Sequence, residues 1–258
     1  MHWYGKEAPY NVLILDRLGL TLEDSISKRH DISFIFSLAN QMVFPFSVFY
    51  NNISLIHLLF LQLSCLESLH SRNYIHRDVK PANFMTGAGE LSNQVFLIDF
   101  GLAQLFRDPS TRRHVPFMSG LKTVGTIAFT SINSHSGRTQ SRRDDLESLM
   151  YSIVYLFCGC LPWQDVIEGP VEQYEAAVLE KKTASVKTLC QGLPLPFVAF
   201  TQHIQSLGFD EKPQYDYLHA LLTQCSANDS NDVVSNLVTI PPSLRTLTVP
   251  SLPHGQRM

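Results

Sequence analysis

Between Ile32 and Leu66 the chain runs for 35 residues without Asp, Glu, Lys or Arg, where its own 17% charged fraction would place about six. The helical pattern breaks inside this stretch. If the twenty residues Val43 to Gln62 are set aside, Leu38, Met42, Leu66 and Leu69 fall at i, i+4, i+8 and i+11, one apolar face of a helix. If the block stays helical, twenty residues at about 100° each turn the second half by roughly 200°, so the two apolar faces point oppositely. Pro45 and the Asn51-Asn52 pair speak against one continuous helix in any case. Elsewhere the pattern is plainer. Val95 to Ile98 is a short β-branched and aromatic run that predicts a strand ending at Asp99. The apolar run Tyr155 to Leu161 holds Cys158 and Cys160, which are expected to be small core residues. Beyond about Ser226, Ser, Asn, Thr and Pro dominate, and residues 227–258 are expected to form a disordered tail.

Composition places the 258-residue chain among globular proteins. It is 45% apolar with mean hydropathy +0.01, and its 14 Pro and 13 Gly are far from a low-complexity level. Twenty basic against 23 acidic residues give a net charge of −3, which asks for no nucleic acid or anionic lipid partner. Five scattered cysteines are odd in number and fit no paired Cys-x-x-Cys, so neither a disulfide framework nor a zinc site is expected. The first residues lack a basic segment followed by an apolar one, so no signal peptide is visible.

Chemistry concentrates between Tyr74 and Gly101. The chain writes His76-Arg77-Asp78-Val79-Lys80-Pro81-Ala82-Asn83, then Asp99-Phe100-Gly101. These resemble the two signatures of protein kinases, His-Arg-Asp-x-x-x-x-Asn and Asp-Phe-Gly. Seven specified residues in order and at the right separation arise by chance on the order of once in 10⁹ registers. The resemblance implies Asp78 as the catalytic base, Lys80 on the phosphoryl group in flight, and Asn83 and Asp99 as ligands of Mg2+ bound with ATP. One carboxylate and one amide oxygen, completed by phosphate oxygens, suit a hard cation.

In detail the chain is similar to the casein kinase 1 family of Ser/Thr kinases over nearly all of residues 1 to 226. Ser131-Ile132-Asn133 stands where most kinases write Ala-Pro-Glu, Gln140 to Leu149 resembles the family's central helix, and Leu161-Pro162-Trp163-Gln164 follows. The resemblance implies that Asp145 accepts backbone N–H groups of the His76-Arg77-Asp78 turn. It implies adenine contacts at Asp16 and Leu18, with Met85 and Ile98 under the ring. It also implies protein substrates, a monomer, and a cytoplasmic or nuclear location, with no nucleic acid and no membrane as partner. Departures are as informative: Ala128 replaces an Arg of the phosphate-reading pocket, Val171 to Glu175 carries acids where the family is basic, and Ala82 replaces an Asp of the catalytic loop. Primed-substrate recognition is therefore not expected.

The implied fold is mainly α with a few short strands (α+β), a kinase-like C-terminal lobe with a truncated N-lobe. Residues 1–19 resemble the last small-lobe strands and the hinge, and residues 20–226 the large lobe with an anomalous insertion at 43–62. No Gly-rich phosphate loop or strand lysine stands before the hinge, and Gly87-Ala88-Gly89 is a turn. Two functional readings stay open: an ATP-dependent Ser/Thr kinase impaired as written, and an inactive pseudokinase-like scaffold or gene-model fragment. Three readings of 43–62 stay open as well. It could be a membrane span, which Pro45, the Asn pair, Ser54 and His57 interrupt. It could be an exposed family-variant loop, for which it is too apolar. The preferred reading is a translated intron, since Val codons begin with GT, a Gln codon can end in AG, and the length is a multiple of three.

Overall fold

The computed structural model describes residues 3–7, 10–14, 16–27, 49–50, 53–167, 171–185, 189–190, 193 and 195–227. Among the described residues the elements are mostly helical, and the strands come as four two-stranded antiparallel pairs. Trp3–Glu7 (β1) pairs with Tyr10–Ile14 (β2), the latter at the place where a strand entering the hinge is expected. After a helix at Leu22–Ser27 (α1) come the short strands Phe49–Tyr50 (β3) and Ile53–Ser54 (β4), which pair with each other. Leu55–Ser71 (α2) follows at once. Tyr74–Ile75 (β5) pairs with Gln104–Leu105 (β8), and Phe84–Thr86 (β6) with Val95–Leu97 (β7).

The remaining helices are Ile132–His135 (α3), Arg142–Cys158 (α4), Val171–Ser185 (α5), Leu195–Ser206 (α6) and Tyr215–Ala227 (α7). Helix α4 starts where the Asp144 carboxylate accepts the Ser141 N–H at 2.7 Å, satisfying a donor that helix geometry leaves orphaned, and stops at Gly159 with φ 75°. Its buried side chains Leu146, Leu149, Met150, Ile153 and Val154 form the centre of the core. Helix α2 packs on α4, α7 and β7, and α6 on α4 and α7. No helix among the described residues is long and apolar enough to cross a membrane.

Eight residues of the anomalous block, Leu55–Gln62, run unbroken into Leu63–Ser71, and Leu58 and Leu59 are buried like Leu63 and Leu66. Residues 38–42, the other half of the expected helix, lie outside the described residues, as do 43–48, 51–52 and 228–258. Cys158, the last residue of α4, is half-buried and packs against the core, and Cys160 is half-buried just beyond the helix; Cys190 and Cys225 are buried, and all five cysteines are free thiols.

Candidate active site

The loop between β5 and β6 carries His76 to Asn83, and β7 ends two residues before Asp99. Three contacts tie the two motifs together. Ile98 N–H donates to the Asn83 carbonyl at 2.9 Å. The His76 ring lies 2.9 Å from the Ile98 carbonyl through Nε2, while its Nδ1 is 3.3 Å from the Asp78 N–H. An amide can only donate, so Nδ1 accepts and Nε2 carries the proton given to Ile98. Phe100, just past Asp99, meets the His76 ring edge-on at 5.4 Å and is otherwise half exposed.

Asp78 is held from three directions. Oδ1 accepts the Thr126 N–H at 2.8 Å and the Thr126 hydroxyl at 2.7 Å; Oδ2 lies 3.0 Å from Lys80 Nζ and accepts from Asn83 Nδ2 at 3.2 Å. Lys80 also donates to the Thr126 hydroxyl at 2.8 Å, so Thr126 Oγ1 receives from Lys80 and gives to Asp78. Burial alone would raise the Asp78 pKa, but the hydrogen bonds from Thr126 and Lys80 and the Lys80 charge outweigh it and hold the carboxyl below its ordinary value. Asp78 is thus a carboxylate at neutral pH. The approach of Thr126 depends on Gly125, whose φ is 101° and where an added Cβ would lie 2.5 Å from the Arg77 carbonyl oxygen.

The turn itself is fixed from below. Asp145, in the first turn of α4, accepts Arg77 N–H through Oδ1 at 2.8 Å and His76 N–H through Oδ2 at 2.7 Å. This anchors Arg77 at φ 70°, a conformation uncommon for a residue with a Cβ. Asp78 N–H goes to His76 instead, so Asp145 holds two of the three amides of the turn. Asp145 Oδ2 is also 2.8 Å from His70 Nε2, and His70 Nδ1 is 2.5 Å from the Tyr215 hydroxyl, which links the turn to α2 and α7.

The expected ligand residues are placed as follows. Asn83 is buried, and its Nδ2 donates to the Asp78 carbonyl at 2.8 Å as well as to the carboxylate. No hydrogen bond to its amide oxygen is formed among the described residues, which leaves that atom to meet a cation. Asp99 is exposed, at φ 60°, with Oδ1 accepting from Gly101 N–H at 3.3 Å. A hard carboxylate oxygen and a hard amide oxygen on two loops joined by Ile98 and Asn83 fit a magnesium ion. No cluster of three or more His, Cys, Asp or Glu among the described residues offers a competing metal site. Of the residues expected from the resemblance to contact adenine, Leu18 precedes a segment laid along β6: Gly19 N–H donates to the Thr86 carbonyl at 2.8 Å, Thr86 N–H to the Leu20 carbonyl at 3.1 Å, and Thr21 bridges Met85. A Cβ on Gly19 would lie 2.6 Å from Thr86 Oγ1, so this approach needs the glycine. Met85 and Ile98 are half-buried on the paired β6 and β7 side, and Asp16 is exposed.

Thr126 and His70 were not singled out by the sequence as site residues: Thr126 had only its place after Gly125 as a signal and His70, within α2, had none, whereas His76 belongs to the His-Arg-Asp signature itself.

The model of the family described as Protein kinase domain matches residues 21–245, most of the chain. The chain belongs to the protein kinase family, whose members bind a nucleotide and a divalent metal and transfer phosphate to proteins.

Proposed function

We propose that this chain is a casein kinase 1-like protein serine/threonine kinase whose large-lobe chemistry is intact and whose phosphate transfer is impaired. The carrying observation is the Asp78–Lys80–Thr126–Asn83 constellation, with an ionised carboxylate beside an ammonium and an amide oxygen left for a metal. Asp78 would orient or deprotonate the acceptor hydroxyl, and Lys80 would neutralise the phosphoryl oxygens. Asn83 and Asp99 would hold Mg2+, which supplies charge neutralisation on the phosphates of ATP. Asp16, Leu18, Met85 and Ile98 would contact adenine. Lys80 and the Ser131-Ile132-Asn133 element support the Ser/Thr and casein kinase 1 assignment, and a cytoplasmic or nuclear site of action fits it. The 258 residues contain no Gly-x-Gly-x-x-Gly loop, so the chain as written lacks a phosphate cover that contributes to transition-state stabilisation. Incubation with Mg-ATP and casein tests this: no Asp99-dependent incorporation is expected, and a transfer rate abolished by Asp99→Asn would overturn the claim of impairment. A scaffold role is the second reading, favoured by that same missing loop.

We further propose that residues 43–62 are a translated intron. The support is the burial pattern at the junction. Phe60 and Leu61 are half-buried, whereas Gln62 is fully buried and neither of its amide atoms has a partner among the described residues. Removing the block puts Asn40, Gln41 and Met42 at those three helical positions, with the polar pair at the half-buried places and the apolar residue at the buried one. Sequencing the transcript tests this; the idea fails if no message joins the Met42 codon to the Leu63 codon.

A further inference from the structure

The segment from Thr123 to Ser131 carries Thr126 to Asp78 on one side. On its other side it lies against α5 and the Trp163 turn. Trp163 Nε1 donates to the Ala128 carbonyl at 2.9 Å, and the Thr123 hydroxyl donates to Glu175 of α5. Seven residues along the same helix, Lys182 is 1% exposed, an unusual place for an ammonium. Its Nζ donates to the carbonyls of Ile127, at 2.9 Å, and Thr130, and lies 3.1 Å from His135 Nε2. The Tyr151 and Trp163 rings stand 4.9 and 5.2 Å from the same nitrogen.

We infer that Lys182 is a positioning residue for the active site, fastening the Ile127–Thr130 turn to α5 so that Thr126 is presented to Asp78 and Lys80. It touches none of the reacting groups itself. An ammonium gives three N–H groups to the two carbonyls and to His135 Nε2, which leaves the imidazole proton on a buried Nδ1 with no hydrogen-bond partner; an amine gives two and accepts from Nε2–H, which also lies 3.2 Å from the Ile127 carbonyl. The consequence for phosphate transfer rests on the kinase reading, but the fastening does not.

The titratable groups about this nitrogen are His135 of α3 and Glu147 and Tyr151 of α4, with Asp144 acting on Glu147 and Tyr151, and Glu175 of α5 on His135. Glu147 accepts from Tyr151 at 2.6 Å and from Ile132 N–H at 2.8 Å. Burial drives Lys182 down to about 7, with Glu147 opposing, and drives His135 down to about 4, with the Lys182 charge adding to the shift. Between about pH 7 and the ordinary lysine value the closed turn holds an amine while the opened turn takes up a proton. Closure is therefore favoured as pH rises across that window.

Site-resolved amide exchange, corrected for the intrinsic rate, tests the inference without needing any transfer. In the unaltered chain, protection of the Thr126, Phe129 and Thr130 amides should grow from pH 7 to 9 by up to about tenfold per unit, relative to the amides of α4. Lys182→Met should lower protection of those three amides at pH 7 by about tenfold or more and leave their pH profile flat, since two buried carbonyls lose their donor. Lys181→Met, which removes only a surface pair with Asp165, should change neither. The inference is overturned if Lys182→Met alters exchange equally in α4 and the turn, or keeps the wild-type pH profile. If Lys182→Met does not fold, a flat profile in the unaltered chain overturns it alone. Absence of Asp99-dependent binding of Mn2+ and ATP with this exchange pattern intact would remove the kinase reading and leave the fastening.

Discussion

Thr126 gives Asp78 both of its donors, the backbone N–H at 2.8 Å and the hydroxyl at 2.7 Å, and both go to the same carboxylate oxygen. A residue 48 positions away in the chain thereby helps to set the ionisation of the candidate base. Thr126→Val keeps the shape and the amide but removes the hydroxyl. A hydrogen bond to a charged group contributes about 1.5–3 kcal/mol, so losing it should raise the Asp78 pKa. Carboxyl carbon shifts followed over an acid titration measure this directly. The sign for stability follows: the Asp78 contribution is full above the ordinary carboxylate value and is lost as pH falls through the lowered folded value. Thr126→Val should narrow that loss.

Asp145 is buried and holds two backbone amides and His70 at once. Asp145→Ala should cost about 3–5 kcal/mol, the range for stripping one partner from a buried charged cluster, and urea unfolding at neutral pH checks it. His70→Phe should cost less, because the two amide bonds that constrain Arg77 remain.

His135 has a ring whose pKa burial lowers to about 4 from an ordinary value near 6.5. Between those values the unfolded chain takes a proton that the folded chain refuses, so the His135 contribution to stability falls as pH drops from 6.5 towards 4. Proton NMR of the imidazole should show no protonation of the ring between pH 8 and 5, the change expected in that range being the one that follows Lys182 near pH 7.

Gln62 should be improved by the residue that removal of the block would bring to its place. Gln62→Met replaces two unpartnered amide atoms by an apolar side chain of similar length, and the urea midpoint should rise by the equivalent of about 1–3 kcal/mol. An unchanged or lower midpoint would show that Gln62 finds partners elsewhere.

The site's chemistry was legible where it is local. Asp78, Lys80 and Asn83 share one loop, and Asp99 stands two residues past a strand whose β-branched run is visible in the sequence, so their resemblance to the two kinase signatures exposed them. Thr126, His70 and Tyr215 were not legible as partners, because Thr126 meets Asp78 across 48 residues of chain, His70 meets Asp145 across 75 and Tyr215 meets His70 across 145, and nothing in their own neighbourhoods announces it. Lys182 belongs with them: its surroundings, Tyr-Glu-Ala-Ala-Val-Leu-Glu-Lys-Lys, suggest a solvated helix face, and only packing against Tyr151 and Trp163 buries it. The charge-free block showed the reverse. Its apolar periodicity favoured a helix made by excising it, yet Leu55–Gln62 has enough Leu and Ile to build the same half-helix, with Gln62 as the misfit.

The central claim, that Asn83 and Asp99 form a metal–nucleotide site, is tested most directly with Mn2+ as a paramagnetic stand-in for Mg2+ in the presence of ATP. Broadening should centre on the Asn83 side-chain amide and the Gly101 backbone amide, and Asp99→Asn should abolish it. Broadening spread over surface carboxylates, or unchanged in Asp99→Asn, would contradict the account.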